Sequence, residues 1–190
     1  WSLQAQAKYN YGWNRYEDEG KEYADGYYRE HHRQDEYYLS ATVLYHPLEP
    51  LTFSLAQDGV INKLRNSLPE CPFPIRYTSI SALNARYQQD WFTAVASLVH
   101  TATSEHVEQG NAPDNFHRFA PSFSVSLQPW QEETLFLRLM YKSTFRLPTF
   151  NDLYYYRLGN RDLRPEKANE YNLGITWSKS GLLFLDYLSM

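Results

Sequence analysis

The sequence predicts an all-β protein of about nine consecutive antiparallel strands joined up-and-down. Three observations carry this. Apolar side chains recur at every second position along most of the chain. Long connections alternate strictly with short ones. Tryptophan and tyrosine collect where the strands meet their connections. Two architectures accommodate these observations. One is a stretch of transmembrane β-barrel wall, whose strands alternate apolar-out and polar-in and whose turns are short on one side and long on the other. The other is a soluble β-sandwich that binds glycans through exposed Tyr and Trp, although Greek-key crossings rarely keep so regular an alternation.

Residues 1–13 alternate Leu3, Ala5, Ala7, Tyr9, Tyr11 and Trp13 against Gln4, Gln6, Lys8 and Asn10, which reads as a half-buried strand. Residues 15–33, dense in charge and Tyr with Gly20 and Gly26, read as a long loop. Residues 34–46 form a second strand, a short turn follows at Pro47 and Pro50, and 51–57 form a third. Residues 58–74, with three prolines, are a second long loop. Strands at 75–87 and 91–103 flank a tight turn at Gln89, and 104–115 are a third long loop. A strand at 116–128, a short turn at Pro129 and a strand ending at Phe145 follow. Pro148 cannot donate to a ladder and closes that strand. After a long connection comes a strand with Tyr171, Leu173, Ile175 and Trp177, then a turn near Lys179 and an apolar run at 182–188. Many of these strands approach the 9–11 residues or so that a tilted membrane strand needs.

Composition is compatible with a barrel. The chain has 190 residues, 43% hydrophobic and 17% aromatic, yet its mean hydropathy is −0.63. No apolar run approaches the roughly 20 residues of a membrane helix. A net charge of −4 gives no footprint for a nucleic-acid partner. The lone Cys71 has no intrachain disulfide partner and no neighbouring base. The chain starts at Trp1 and ends at Met190 inside an apolar run, so it is expected to be a segment of a longer protein. Trp1, Trp91, Trp130 and Trp177 fall beside short turns, while Trp13, Tyr9, Tyr11, Tyr37 and Tyr38 fall beside a long loop. This is the pattern of two interfacial belts.

The residues between the last two motif-bearing strands are the most specific. Phe145-Arg146-Leu147-Pro148-Thr149-Phe150-Asn151-Asp152-Leu153-Tyr154-Tyr155 is followed by Gly159-Asn160, then Leu163-Arg164-Pro165-Glu166, then Glu170-Tyr171-Asn172-Leu173-Gly174. This succession, about a fifth of the chain, resembles the barrel domain of TonB-dependent outer-membrane receptors, where phrases like FR-x-PTFNDLYY, GN-x-x-L-[KR]-PE and E-Y-x-LG occur in this order. The resemblance implies an antiparallel up-and-down transmembrane β-barrel in the outer membrane of a Gram-negative cell, crossing it many times. It implies residues 1–190 as part of the barrel domain, with the plug domain not among them. It also implies active import of a scarce nutrient such as a ferric siderophore, haem or cobalamin, powered through TonB, which would reach the receptor through the plug. The expected partners are membrane lipid, the TonB complex and a small-molecule ligand.

Nothing in the residues points to an enzyme or a resident cofactor. His31-His32 have no supporting ligand spacing. Glu17, Asp18, Glu19, Glu22 and Asp25 lack the spacing of a calcium loop. Glu166 and Glu170 read as residues at a strand start rather than as an acid–base pair. The best binding candidate is the aromatic loop: Tyr154, Tyr155 and Tyr156 with Arg157, Asn160 and Arg161 supply stacking faces and hydrogen-bond donors. The same tyrosines could serve to pack a long loop on itself. Period two places Leu135, Leu137, Leu139, Tyr141, Leu173, Ile175 and Trp177 on the lipid side, and Arg138, Lys142, Asn172 and Thr176 on the lumenal side. The four long loops are expected outside the cell.

Overall fold

The computed structural model describes residues 1–19, 27–67, 72–130, 134–154 and 159–178. Its strands are β1 (Ser2–Glu19), β2 (Tyr27–Leu48), β3 (Leu51–Asn66), β4 (Ile75–Gln88), β5 (Phe92–His106), β6 (Phe116–Leu127), β7 (Thr134–Arg146) and β8 (Glu166–Ser178). A short helix, α1 (Phe150–Tyr154), lies between β7 and β8. All eight strands form one sheet in sequence order, and every adjacent pair is antiparallel. A single up-and-down sheet is the architecture of a barrel wall, and it corrects the sandwich alternative, which needs two stacked sheets with crossings. The expected ninth strand at 182–188, the turn at Lys179 and Cys71 lie outside the described residues.

Several strands outrun their sequence-based limits. Residues 15–19 and 27–33, expected as loop, continue the first hairpin, with Arg15 opposite His31 and Glu17 opposite Arg29. Their charges pair across and along the ribbon: Glu17 takes both Arg15 and Arg29. Trp13 stacks on His31 with ring centroids 6.1 Å apart. Such cross-strand pairs favour extended pairing even where no face is apolar, which is why hydrophobic alternation alone misses it. For the same reason β3 runs through residues 58–66, where Asp58 faces Ser40 and Asn66 faces His32. Likewise β5 reaches His106, opposite Ile75.

The register sorts the side chains onto two faces. One row across six strands reads Leu3, Val43, Leu55, Leu83, Leu98 and Pro121. Leu139 lies opposite Leu173, Leu137 opposite Ile175 and Leu135 opposite Trp177. This face is apolar and open: Leu3 is 72% exposed and Leu173 76%. Burying such side chains in hydrocarbon is favourable, and leaving so many of them in water is not. The opposite face is polar and hydrogen-bonded. Ser40 donates to Asp58 at 2.6 Å. Asn10 and Asn62 donate to the two carboxylate oxygens of Glu36 at 2.7 and 2.9 Å. Tyr38 belongs to this polar face, opposite Lys8, and so leaves the interfacial belt in which the sequence pattern had grouped it with Tyr37.

One irregularity shapes the rim. The β5–β6 ladder continues to Phe116, but the β6–β7 ladder stops at Ser122 opposite Lys142. Pro121 is the next residue and has no N–H to donate. Beyond it side chains fill the junction: Phe116 meets Phe145 with centroids 5.4 Å apart. There, too, Arg118 donates to the Ser143 hydroxyl at 3.4 Å.

Candidate ligand-binding site

The connection after β7 begins with a tight local structure. Pro148 precedes Thr149, whose hydroxyl accepts the Asp152 N–H at 3.2 Å. Asp152 Oδ2 in turn accepts the Thr149 N–H at 2.8 Å. This reciprocal pair is a capping box, which satisfies two backbone donors at the start of α1. The T-x-x-D spacing was legible in the sequence and is the signal that could have placed this helix. These hydrogen bonds from Thr149 hold the Asp152 carboxyl below the usual carboxylate range, with Arg146 adding to the effect. The turn closes as the Asn160 N–H donates to the Asp152 carbonyl at 2.9 Å. The Asn160 side-chain oxygen accepts the Asp162 N–H, also at 2.9 Å.

This turn of helix lies against the polar face of β4 and β5. Phe150 and Leu153 are buried there. The Tyr154 hydroxyl donates to Glu105 Oε2 at 2.6 Å. Arg76 grips the other oxygen of Glu105, with Nε at 2.6 Å and Nη2 at 2.5 Å. The Arg76 guanidinium also sits 4.8 Å from the centre of the Phe150 ring. The Arg76–Glu105 pair is largely shielded from water, so its charges are best met within the protein, and each group supplies what the other needs. Burial, and then the hydrogen bond to Glu105, push the Tyr154 phenol well above its ordinary range.

Arg161 joins the 107–115 loop to the same assembly. Its guanidinium lies 5.6 Å from the Tyr154 ring centre and donates to the Asn111 carbonyl at 3.2 Å. Gly110 is pressed against it: the position has φ +83°, and a Cβ there would collide with the guanidinium. The positive φ is what favours glycine here, since the guanidinium end of a flexible side chain could move aside for a Cβ. Between these pieces is a cleft of about 570 Å³, lined by Arg76, Thr103, Glu105, Asp114, Arg161 and Arg164. The Thr103 hydroxyl in its wall is buried without a hydrogen-bond partner.

Of the six residues expected to bind ligand, Arg161 lines the cleft, whereas Tyr154 and Asn160 do not. Tyr154 is anchored through its hydroxyl rather than free to stack, Asn160 closes the turn, and Arg161 borders the cavity. Tyr155, Tyr156 and Arg157 lie outside the described residues. Arg76, Thr103, Glu105 and Asn111 were not foreseen. Glu105 and Tyr154 are 49 positions apart, and no local pattern joins them.

A family model for the TonB dependent receptor-like β-barrel matches residues 1–188. The chain belongs to the TonB-dependent receptor family. Its apolar face is the lipid-facing exterior of an outer-membrane barrel, and its polar face, onto which the α1 connection folds, is the lumen. Among solved structures the chain is similar to the copper transporter OprC, with a TM-score of 0.71 and 11% identity over 94% of this chain. The similarity spans 33% of that protein, so the chain covers about a third of the receptor-like structure it matches. No curated protein is significantly similar in sequence. Within the receptor barrel the two aromatic belts are distinct: Trp1 packs on Tyr45 at 4.3 Å near the short turns. At the loop end Tyr9 packs on Tyr37 at 4.9 Å.

Proposed function

We propose that this chain forms barrel wall and loops of a receptor that imports a scarce nutrient across the outer membrane, and that the lumenal cleft beside α1 is part of its ligand route. Residues 1–190 supply wall and loops, a plug domain elsewhere in the protein contacts TonB, and the protein is a transporter rather than an enzyme. The observation that carries this reading is the cleft itself, which lies on the polar face of a receptor barrel and is bounded by guanidinium groups and a partnerless hydroxyl. Those donors suit the carboxylate or phenolate oxygens of an organic ligand or chelate, such as a ferric siderophore, haem or cobalamin. OprC is named as a copper transporter, whereas the groups at this cleft are hard donors and cations, a poor set for a bare soft metal ion.

Tyr155, Tyr156, Arg157, Asn160 and Arg161 are the proposed contacts, with Tyr154 fixing the loop that presents them. In the complete receptor, replacing Tyr155, Tyr156 and Arg161 together by Ala should reduce nutrient uptake about tenfold or more at equal surface level, since central aromatic and Arg contacts dominate binding. Wild-type uptake by this variant would assign these residues to loop packing alone.

A further inference from the structure

The lipid-facing side is not apolar throughout. Beside the row of Leu55, Leu83, Leu98 and Pro121, on the same face, runs a row of Gln57, Ser81, His100 and Phe119, each opposite the next. Ala41 stands opposite Gln57. On β2 it lies midway between Tyr45 and Tyr37, which belong to the two aromatic belts. On β4, Ser81 likewise lies between Tyr87 toward the short turns and Tyr77 toward the long loops. These polar residues therefore sit deep in the hydrocarbon, away from both interfaces. His117, opposite Ala102, adds a second imidazole, its ring centroid 6.5 Å from that of His100.

The sheet provides for these groups unequally. Ser81 donates to the Gln57 side-chain oxygen. The Gln57 amide donates to the Ser79 hydroxyl at 3.0 Å and to the Asp58 carbonyl at 3.1 Å. Gln57 is thus satisfied within the sheet, and the imidazoles are not. The His100 ring rests on Phe119 with centroids 4.6 Å apart. Among the described residues neither His100 nor His117 has a hydrogen-bond partner. A neutral imidazole carries one donor and one acceptor, and hydrocarbon answers neither. Were the two rings to bond each other, one donor and one acceptor would still be left over. Polar side chains at such depth are costly unless a partner meets them.

We propose that His100 and His117 mark an interface between two copies of the receptor lying side by side in the membrane, the imidazoles of each hydrogen-bonding those of the other. A second copy fits this patch better than an unrelated protein does. Two copies in one membrane are related by a two-fold axis along the membrane normal, and that rotation leaves depth unchanged. A polar group at mid-depth therefore meets its own counterpart at mid-depth. An imidazole both donates and accepts, so the meeting is complementary. The surroundings permit close approach: Ala102 is opposite His117, and a Cβ added at Gly59 would meet nothing within 4 Å. The inference rests on the lipid-facing assignment and not on the ligand cleft, so the two can fail separately.

The test uses the complete receptor. A photo-crosslinking benzoyl analogue of phenylalanine at position 119, beside His100, should give a species of twice the receptor mass when intact outer membranes are illuminated. Receptors carrying donor and acceptor dyes should transfer energy in vesicles. His100→Phe combined with His117→Leu should weaken that association about tenfold or more, while heat-modifiable migration and nutrient uptake per receptor stay as in wild type. His100→Gln combined with His117→Asn keeps donors and acceptors, and should stay associated. Wild-type receptor that gives no energy transfer would overturn the proposal, as would undiminished association of the folded apolar variant. Equal dissociation of the two double variants would overturn it as well, and so would crosslinking at position 119 to a different protein in place of a second receptor. Absence of uptake by a wild type that still associates would count against the import reading alone.

Discussion

Thr149 and Asp152 set the geometry of the α1 connection with two hydrogen bonds, at 2.8 and 3.2 Å. Asp152 is held below its ordinary carboxylate value of 3.8. A carboxyl whose pKa is depressed on folding contributes stability above its unfolded value, and that contribution is lost as pH falls through the folded one. Acidification below about pH 4 should therefore loosen α1 while the strands persist. Hydrogen exchange of the α1 amides, corrected for intrinsic rates, reads this directly. Asp152→Asn should abolish the pH dependence, and Thr149→Ala should cost about 1 kcal/mol of local stability at neutral pH. Exchange in Asp152→Asn that still rose on acidification would place the switch elsewhere. Tyr154 belongs to the same scale: its hydroxyl is committed to Glu105, which makes it a positioning residue for its neighbours.

At the scale of the element, β7 and β8 test the assignment of faces. Leu135 opposite Trp177 marks the level of the belt beside the short turns. Leu137 lies one pair of residues above that belt, and Leu139, opposite Leu173, lies closer to the middle of the hydrocarbon. The cost of an arginine facing lipid rises with depth, to roughly 2–4 kcal/mol at the midplane and about 0–1 near the interface. Leu139→Arg should thus destabilise the complete barrel in vesicles more than Leu137→Arg does. Asn172→Arg, on the lumenal face opposite Met140, should cost least. Equal losses for Leu139→Arg and Asn172→Arg would reject the facing. The length of these elements has its own lesson. Water does not stop a ladder whose side chains pair across it, so β1 and β2 extend past any apolar band by charge and aromatic contacts.

For the whole molecule the deciding fact is the open sheet. β1 pairs with β2 on one side and, among the described residues, with nothing on the other. Unpaired N–H and C=O groups cost several kcal/mol each in hydrocarbon, so a membrane barrel closes. A polypeptide consisting of residues 1–190 alone should accordingly give no detergent-resistant, heat-modifiable monomer, whereas the complete receptor should. A stable monomer of the segment in detergent, with Trp1 to Trp13 protected from exchange by a β8 partner, would show that these strands close on themselves.

The sequence by itself determined the strand class, the sidedness of each strand and the family, because a period of two and a motif phrase are local properties of the chain. It also carried the capping box of α1 in the spacing of Thr149 and Asp152, although hydrophobic pattern hid it. Only the tertiary structure decided that the motif connection turns inward onto Arg76 and Glu105, and that Gly110 lies against Arg161. Each of these depends on register between segments tens of residues apart. Register is a property of the assembled sheet, fixed by the summed pairing of whole strands rather than by the residues that happen to meet.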